Sequence, residues 1–329
     1  MPTSTDRNSW PSLSALKLLS CILLLFFTVS ATIFTEASKR KNGTYPYNTF
    51  VIPFAVEVLK LLVASTLFAI ENVSGKSSGS RSSIHDFWKY SVPALCYFVS
   101  NNCMFFIIRH LGATTFQIMN NLKVLSTGVL MYVFLGRKLT WMQWKSLVIL
   151  TIGSMVTQLS GEMSHARTSV NSSSPSVGYS LVILSAVASG AGGVFSEKLL
   201  KSESKIEGKK LYEQDVSIHW QNVQLYVFGV IFGLISLRSN SSGAILSSNL
   251  FDGFNACAYA TVGTLAVCGL LVSFILKYLD NVAKCFCSAI SMLCVAVLDA
   301  AMSRAGIPLR ILLGAVLTAI ALEQYTLSS

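Results

Sequence analysis

Ten stretches of this chain are each about twenty residues long and mostly apolar, which is the length an α-helix needs to cross the hydrocarbon core of a bilayer. They run approximately over 13–34, 49–70, 90–108, 112–135, 142–159, 178–200, 216–237, 254–276, 281–302 and 307–325. Within lipid every backbone polar group has to be satisfied internally. The predicted fold is therefore an all-α polytopic membrane protein of ten transmembrane helices. Composition points the same way, because 52% of the residues are hydrophobic and only 12% are charged, which excludes an ordinary soluble domain.

The net charge of +10 does not imply a nucleic-acid partner. Most of the Lys and Arg lie in short loops, where retention of positive charge on the cytosolic side explains them. With a cytosolic N-terminus, about 14 Lys and Arg fall on the cytosolic side and about 8 on the other. The sequons at Asn42, Asn171 and Asn240 are then lumenal, and the one at Asn72 is cytosolic and unusable. A rival reading takes Val29-Ser30-Ala31 as a signal-peptidase site, but the apolar run continues to Phe34. The expected organisation is a cytosolic tail over 1–12, a first five-helix repeat plus sixth helix over 13–200 and a charged cytosolic linker over 201–215. Helices seven to ten follow over 216–325, then a short cytosolic tail over 326–329.

What the spans carry besides apolar residues points to function. Lys123 sits in the middle of the fourth span, where a cation costs roughly 3 kcal/mol on insertion scales. Lys284 stands near the start of the ninth span. No carboxylate is obviously beside either lysine, so an anionic ligand that comes and goes is the expected partner. Phe116, Asn120, Lys123 and Thr127 recur at helical spacing and share one face of the fourth span, as Asn281, Lys284, Ser288 and Ser291 do on the ninth. Glu57 and Lys60 are i and i+3 on the second span, suited to a structural ion pair or to a coupling pair tuning a cavity.

Ser100, Asn101 and Asn102 interrupt the third span, and such amides need helix–helix or ligand partners. Asn222 and Tyr226 are i and i+4 on the seventh span. Ser189, Gly190 and Gly193 on the sixth allow either close helix approach or a ligand against bare backbone. Gly229 and Gly233 form a pair of small residues suited to tight packing. The eight cysteines lie in or beside apolar runs without metal-ligand spacing, so neither a metal nor another cofactor is expected.

The layout of a span, a short basic corner and a span with one polar face occurs near Ile108 and again near Leu276. Units five spans apart have opposite orientation, so two inverted five-helix repeats are expected, with a midplane site that Lys123 and Lys284 reach from opposite halves. No phosphate loop of the GxxxxGK[ST] type, HExxH motif or plausible triad is present, so an enzyme is not expected. Two ammonium groups suit phosphate, and an anion carried one way calls for an anion back.

The combination of Asn101-Asn102, Ala113-Thr-Thr-Phe-Gln with Asn-Leu-Lys123, Ser189-Gly-Ala-Gly-Gly-Val-Phe-Ser-Glu-Lys-Leu-Leu-Lys201, Trp220-Gln-Asn-Val-Gln-Leu-Tyr226 and Asp280-Asn-Val-Ala-Lys284 resembles the nucleotide-sugar transporters of the drug/metabolite transporter superfamily. The likeness spans roughly 49–321 and is nearest the CMP-sialic acid and UDP-galactose transporter branch. It implies a Golgi or endoplasmic-reticulum antiporter that exchanges a nucleotide sugar for the nucleoside monophosphate across the lipid bilayer. It also implies that Lys123 and Lys284 hold phosphate, that Asn102, Asn222 and Tyr226 contact the nucleotide, and that Ser189, Gly190 and Gly193 shape the pocket. Phe116 and Asn120 stand where animal CMP-sialic acid transporters have tyrosines, and FQIMNNLK is similar to plant-type members, some of which carry UDP-N-acetylhexosamines. A pyrimidine nucleotide is expected, with CMP against UMP or UDP open. Alternatives are a sugar-phosphate or other organic-anion exchanger and a non-transporting scaffold; a homo-oligomer is compatible with any of these.

Overall fold

The computed structural model describes residues 13–40, 44–74, 87–159, 175–202, 217–240, 250–302 and 307–328. The described chain is helical throughout its spans: α1 (Leu13–Ala37), α2 (Val51–Val73), α3 (Ser91–Leu111), α4 (Ala113–Met119), α5 (Leu122–Leu135) and α6 (Trp141–Gln158). Then come α7 (Pro175–Ser202), α8 (Ile218–Asn240), α9 (Ala256–Tyr278), α10 (Asn281–Met302) and α11 (Leu309–Leu327). Among the described residues, nine candidate spans are long and apolar enough to cross a membrane, with α4 and α5 together supplying one of them. The other long helix, α6, meets the length but has a polar buried face.

That face explains how α6 belongs to the bundle. Thr140 opens it with a capping box, its hydroxyl accepting from Gln143 N (3.2 Å) while Gln143 Oε1 accepts from Thr140 N (3.0 Å). Ser146 Oγ donates to the Ala321 carbonyl of α11 at 2.6 Å, and a Cβ on Gly153 would stand 2.9 Å from Leu317 Cβ. Small residues and side-chain-to-backbone hydrogen bonds hold helices where lipid supplies no hydrophobic drive.

The most extensive packing pairs α3 with α7, α6 with α11, α1 with α9 and α2 with α8. Next come α5 on α7, α2 on α9, α1 on α10 and α3 on α8.

The expected fourth span, 112–135, differs from one continuous helix. It breaks at Asn120 and Asn121 into α4 and α5. Around the break the ladder tightens to i→i+3 spacing, with Asn121 N to Ile118 O (3.3 Å) and Lys123 N to Asn120 O (3.3 Å). The Asn121 side chain reinforces this turn by donating to the Gln117 and Ile118 carbonyls at 3.2 and 3.1 Å. Interrupted helices at membrane depth are tolerated where such groups re-satisfy the backbone. Gly112, at φ 81°, turns the chain tightly from α3 into α4.

Other boundaries differ by a few residues. The helix α7 continues through Ser202 into the expected linker, and α11 continues through Leu327 into the expected tail. The tail over 1–12, residues 203–216, Asn42 and Asn171 lie outside the described residues. Asn72 falls in the last turn of α2 and Asn240 is the last residue of α8.

Candidate functional site

Four helices present periodic stripes to one cavity of about 330 Å³. The second helix, with the residue before it, contributes Phe50, Pro53, Phe54, Glu57 and Lys60. Ala94, Tyr97, Phe98, Asn101 and Asn102 come from α3, and Gly269, Val272, Ser273 and Leu276 from α9. On α8 the stripe is Leu225, Tyr226, Gly229, Phe232, Gly233 and Ser236. Each recurs at three, four and seven residues, the spacing of one helix face. Ser196 of α7 and Lys284 of α10 complete the lining. The volume lies in the range of small-ligand sites, and mostly apolar walls with a few polar groups are their usual chemistry.

The cavity is closed at one end. Ser196, Tyr226, Ser273 and Leu276 are buried, whereas Pro53 near the start of α2 and Asn101 midway along α3 are exposed. An exposed amide in a membrane helix faces water rather than lipid. The mouth therefore lies at the end where α2 begins and α8 ends, and the floor near the start of α10.

Charge decides what such a space accepts. Lys60 Nζ is 2.6 Å from Glu57 Oε1, so this predicted pair is formed and stands in the cavity wall. Two glycines make room for it. A Cβ on Gly229 would stand 2.5 Å from Glu57 Oε2, and one on Gly269 2.5 Å from Lys60 Cδ. Gly229, expected to serve helix packing, thus accommodates a carboxylate, while Gly233 packs against Phe54. Lys60 Nζ also lies over the Tyr226 ring, 4.4 Å from its centroid, and the Tyr226 hydroxyl pairs with Ser273 Oγ at 3.1 Å.

With that pair mutually neutralised, Lys284 leaves the cavity positive. Lys123 does not line the cavity, but it is close enough to Lys284 for the two charges to interact. Neither lysine has a carboxylate partner among the described residues. A divalent anion at Lys284 would relieve both.

The remaining predicted residues divide. Asn102 lines the cavity, its Oδ1 accepting from Ser236 Oγ at 2.7 Å and its Nδ2 donating to the Phe98 carbonyl at 2.8 Å. Asn222 is buried one turn from Tyr226, and its Oδ1 has no partner among the described residues. Ser288 is half-buried one turn beyond Lys284, and Asn120 is half-buried in the break. Phe116 packs instead in an apolar cluster with Cys103, Ile107 and Val182.

The glycines of α7 face protein rather than open space. A Cβ on Gly190 would meet Ser126 Oγ at 2.8 Å, one on Gly192 the Tyr97 ring at 3.0 Å and one on Gly193 the Asn281 side chain. Ser126 Oγ also donates to the Ala186 carbonyl at 2.7 Å, tying α5 to α7. Ser189, beside Gly190, is half-exposed and outside the cavity lining. Tyr97, Ser236 and Ser273 are cavity residues that sequence reasoning missed. The stripe through Tyr97, Asn101 and Asn102 was discoverable by helical spacing, whereas Ser236 and Ser273 carry no local signal.

Beyond the floor, the chain is held by charges. Arg137 Nη1, in the turn after α5, is 2.7 Å from Asp280 Oδ2. Burial opposes the charged form of Arg137, but the Asp280 hydrogen bond and charge outweigh it and raise the guanidinium pKa above its ordinary value. Glu197 of α7 accepts from Lys201 Nζ at 2.7 Å and from the Asn281 backbone N–H at 2.9 Å.

Comparison with known proteins identifies the family. Residues 12–326 match the nucleotide-sugar transporter family. A CMP-sialic acid transporter 1 of Oryza sativa subsp. japonica is 34% identical over 308 residues, covering 92% of each chain. The CMP-sialic acid transporter 1 of Arabidopsis thaliana is 32% identical, covering 92% of this chain and 88% of its own. A UDP-N-acetylglucosamine transporter of Rattus norvegicus is 28% identical over 84% of this chain and 85% of its own. One solved crystal structure shares the fold with a TM-score of 0.63 at 12% identity, covering 96% and 97% of the two chains. With this match running along almost the whole chain, the protein belongs to the nucleotide-sugar transporter family and is a multi-pass membrane transporter, not an enzyme.

Proposed function

We propose that this protein exchanges a pyrimidine nucleotide sugar for the corresponding nucleoside monophosphate by alternating access. The membrane is that of the Golgi or endoplasmic reticulum, and both termini are cytosolic. The observation that carries the reading is the lysine pair: Lys284 on the floor of an otherwise charge-balanced cavity, Lys123 within electrostatic reach, and no carboxylate partner for either among the described residues. The phosphate groups of the nucleotide complete them as point-charge contacts. Tyr226 and Asn102 are offered to the nucleoside or sugar from the wall. Asn222, Asn120 and Ser288 flank the lysines, while Phe116, Ser189, Gly190 and Gly193 shape the site through packing. The relatives are named for CMP-sialic acid and UDP-N-acetylglucosamine, both pyrimidine nucleotide sugars, which supports the base class.

Obligate exchange follows from the same charges. An empty carrier would have to reorient two uncompensated cations through the low-dielectric interior, which is costly until an anion is bound. The helix pairings support two inverted halves. Adding five to each span number turns the first–eighth contact into the sixth–third, and the fourth–sixth into the ninth–first. All four contacts are present, as α1·α9, α7·α3, α5·α7 and α10·α1.

The test is exchange by purified protein in liposomes preloaded with CMP, UMP, GMP or inorganic phosphate. External CMP-sialic acid, UDP-N-acetylglucosamine, UDP-galactose and GDP-mannose are offered in turn. Uptake that requires internal CMP or UMP supports the proposal and names the base. Uptake driven by inorganic phosphate alone moves the protein to the sugar-phosphate exchangers, and no uptake by folded protein rejects transport of these solutes.

A further inference from the structure

The floor of the cavity and the polar network beyond it share residues. Lys284 and Leu276 line the cavity, and Asp280, in the corner between their helices, stands four residues from each. Ser196 lines it, and its neighbour Glu197 is 1% exposed. Asp280 caps α10, accepting from Ala283 N at 2.7 Å through one carboxylate oxygen and from Arg137 at 2.7 Å through the other. Glu197 Oε2 takes the Asn281 N–H, while Lys201 donates both to Glu197 and to the Leu279 carbonyl. Three successive residues of the α9–α10 corner are thus pinned, one to the α5–α6 turn and two to the end of α7.

Arg137 belongs to the first five spans and the corner to the last five, so the Arg137–Asp280 pair bridges the two proposed halves. Its side chains are 37% and 14% exposed, so it can open without stranding both charges in an apolar interior. Just inside, the Asn281 amide is fully buried, and neither its Oδ1 nor its Nδ2 has a hydrogen-bond partner among the described residues. A buried amide without partners is costly and gains by reaching water. The corner therefore holds a polar group that gains hydrogen bonds to water when this end opens.

We propose that Asp280 and Glu197 are positioning residues forming a latch. Together with Arg137 and Lys201 they shut the floor end of the carrier and fix the first turn of the helix that presents Lys284. Opening of this end breaks the Arg137–Asp280 pair and exposes Asn281. The alternating-access reading supplies the purpose of the latch, but the test needs no substrate.

Ser196→Cys provides a reporter on the floor in oriented proteoliposomes. A membrane-impermeant maleimide is added to one side at a time, and modification of the residue-196 peptide is followed by mass spectrometry, which separates it from the native cysteines. With the latch intact, the residue reacts from the mouth side and slowly from the latch side. Asp280→Asn keeps the helix cap and removes the charge, and Arg137→Gln removes the partner from an exposed turn. Each is expected to raise the latch-side rate roughly five-fold, with the mouth-side rate no higher. The double variant should be no faster than the faster single. Unchanged latch-side rates in both singles, equal increases on both sides or additive effects would each overturn the proposal. Arg137→Gln carries the test alone if Asp280→Asn does not fold.

Discussion

Lys60 Nζ of α2 rests on the face of the Tyr226 ring of α8, 4.4 Å from its centroid, while the same ammonium contacts Glu57 at 2.6 Å. The ring and the carboxylate together hold a cation in the cavity wall without releasing its charge to the cavity. A cation–π contact of this kind contributes about 0.5–2 kcal/mol. Tyr226→Leu should therefore raise KM for exchange about 2- to 30-fold. Tyr226→Phe retains the ring and should stay within about 2-fold, losing only the hydroxyl contact to Ser273. Equal losses in the two variants would assign the effect to the hydroxyl.

Removing the buried cation should separate stability from transport. Lys123 has no carboxylate partner among the described residues, and a membrane lysine costs roughly 3 kcal/mol. Lys123→Met should raise Tm in detergent while abolishing exchange. CMP or UMP should then stabilise the native protein against heat and leave the variant unaffected. Preserved exchange in Lys123→Met or Lys123→Ala would remove this residue from the substrate site. Lys284→Arg should keep part of the activity that Lys284→Ala loses, because charge survives and geometry changes.

Gly193 is a packing constraint. A Cβ there would stand 2.7 Å from Asn281 Cγ, inside van der Waals contact. Gly193→Ala should destabilise the protein by about 1–3 kcal/mol. A concurrent Asn281→Ala should recover part of that loss, since it empties the space the new methyl enters. Thermal unfolding of the three variants measures both effects; additive losses would show that the contact is not the cause.

At the helix break, Asn121 is buried and supplies two hydrogen bonds to the preceding turn. Asn121→Leu removes both, leaving the Ile118 carbonyl to its backbone donor and taking the side-chain donor from the Gln117 carbonyl, so a loss of about 1–3 kcal/mol is expected by thermal unfolding. Asn121→Ser, with a donor of shorter reach, should fall between the two. An unchanged Tm in Asn121→Leu would mean that the break is held by packing alone.

Much of the architecture was legible because lipid imposes a strict rule: a backbone crossing it must be helical, and length and hydropathy expose each crossing. The weak point was 112–135, whose span-like length concealed the break at Asn120 and Asn121. Those asparagines can satisfy a kinked backbone or sit on a straight helix, and only neighbouring carbonyls decide between them. The Glu57–Lys60 pair was legible because i,i+3 spacing brings the side chains together within one helix. Its place over Tyr226 was not, since that contact joins residues far apart in the chain.

The sequence by itself determined that the chain crosses a membrane repeatedly and buries Lys123 and Lys284 without local counter-charges, because periodicity and charge are properties of single helices. Tertiary structure decided what those helices enclose. It put Lys284 in a cavity with Tyr226 and Asn102, set Phe116 among apolar side chains, and filled the space above Gly190 and Gly193 with Ser126 and Asn281. It also joined Arg137 to Asp280 across 143 positions of sequence. The physical reason is rotational: a helix face is specified by its own residues, but what it faces depends on how neighbouring helices cross it.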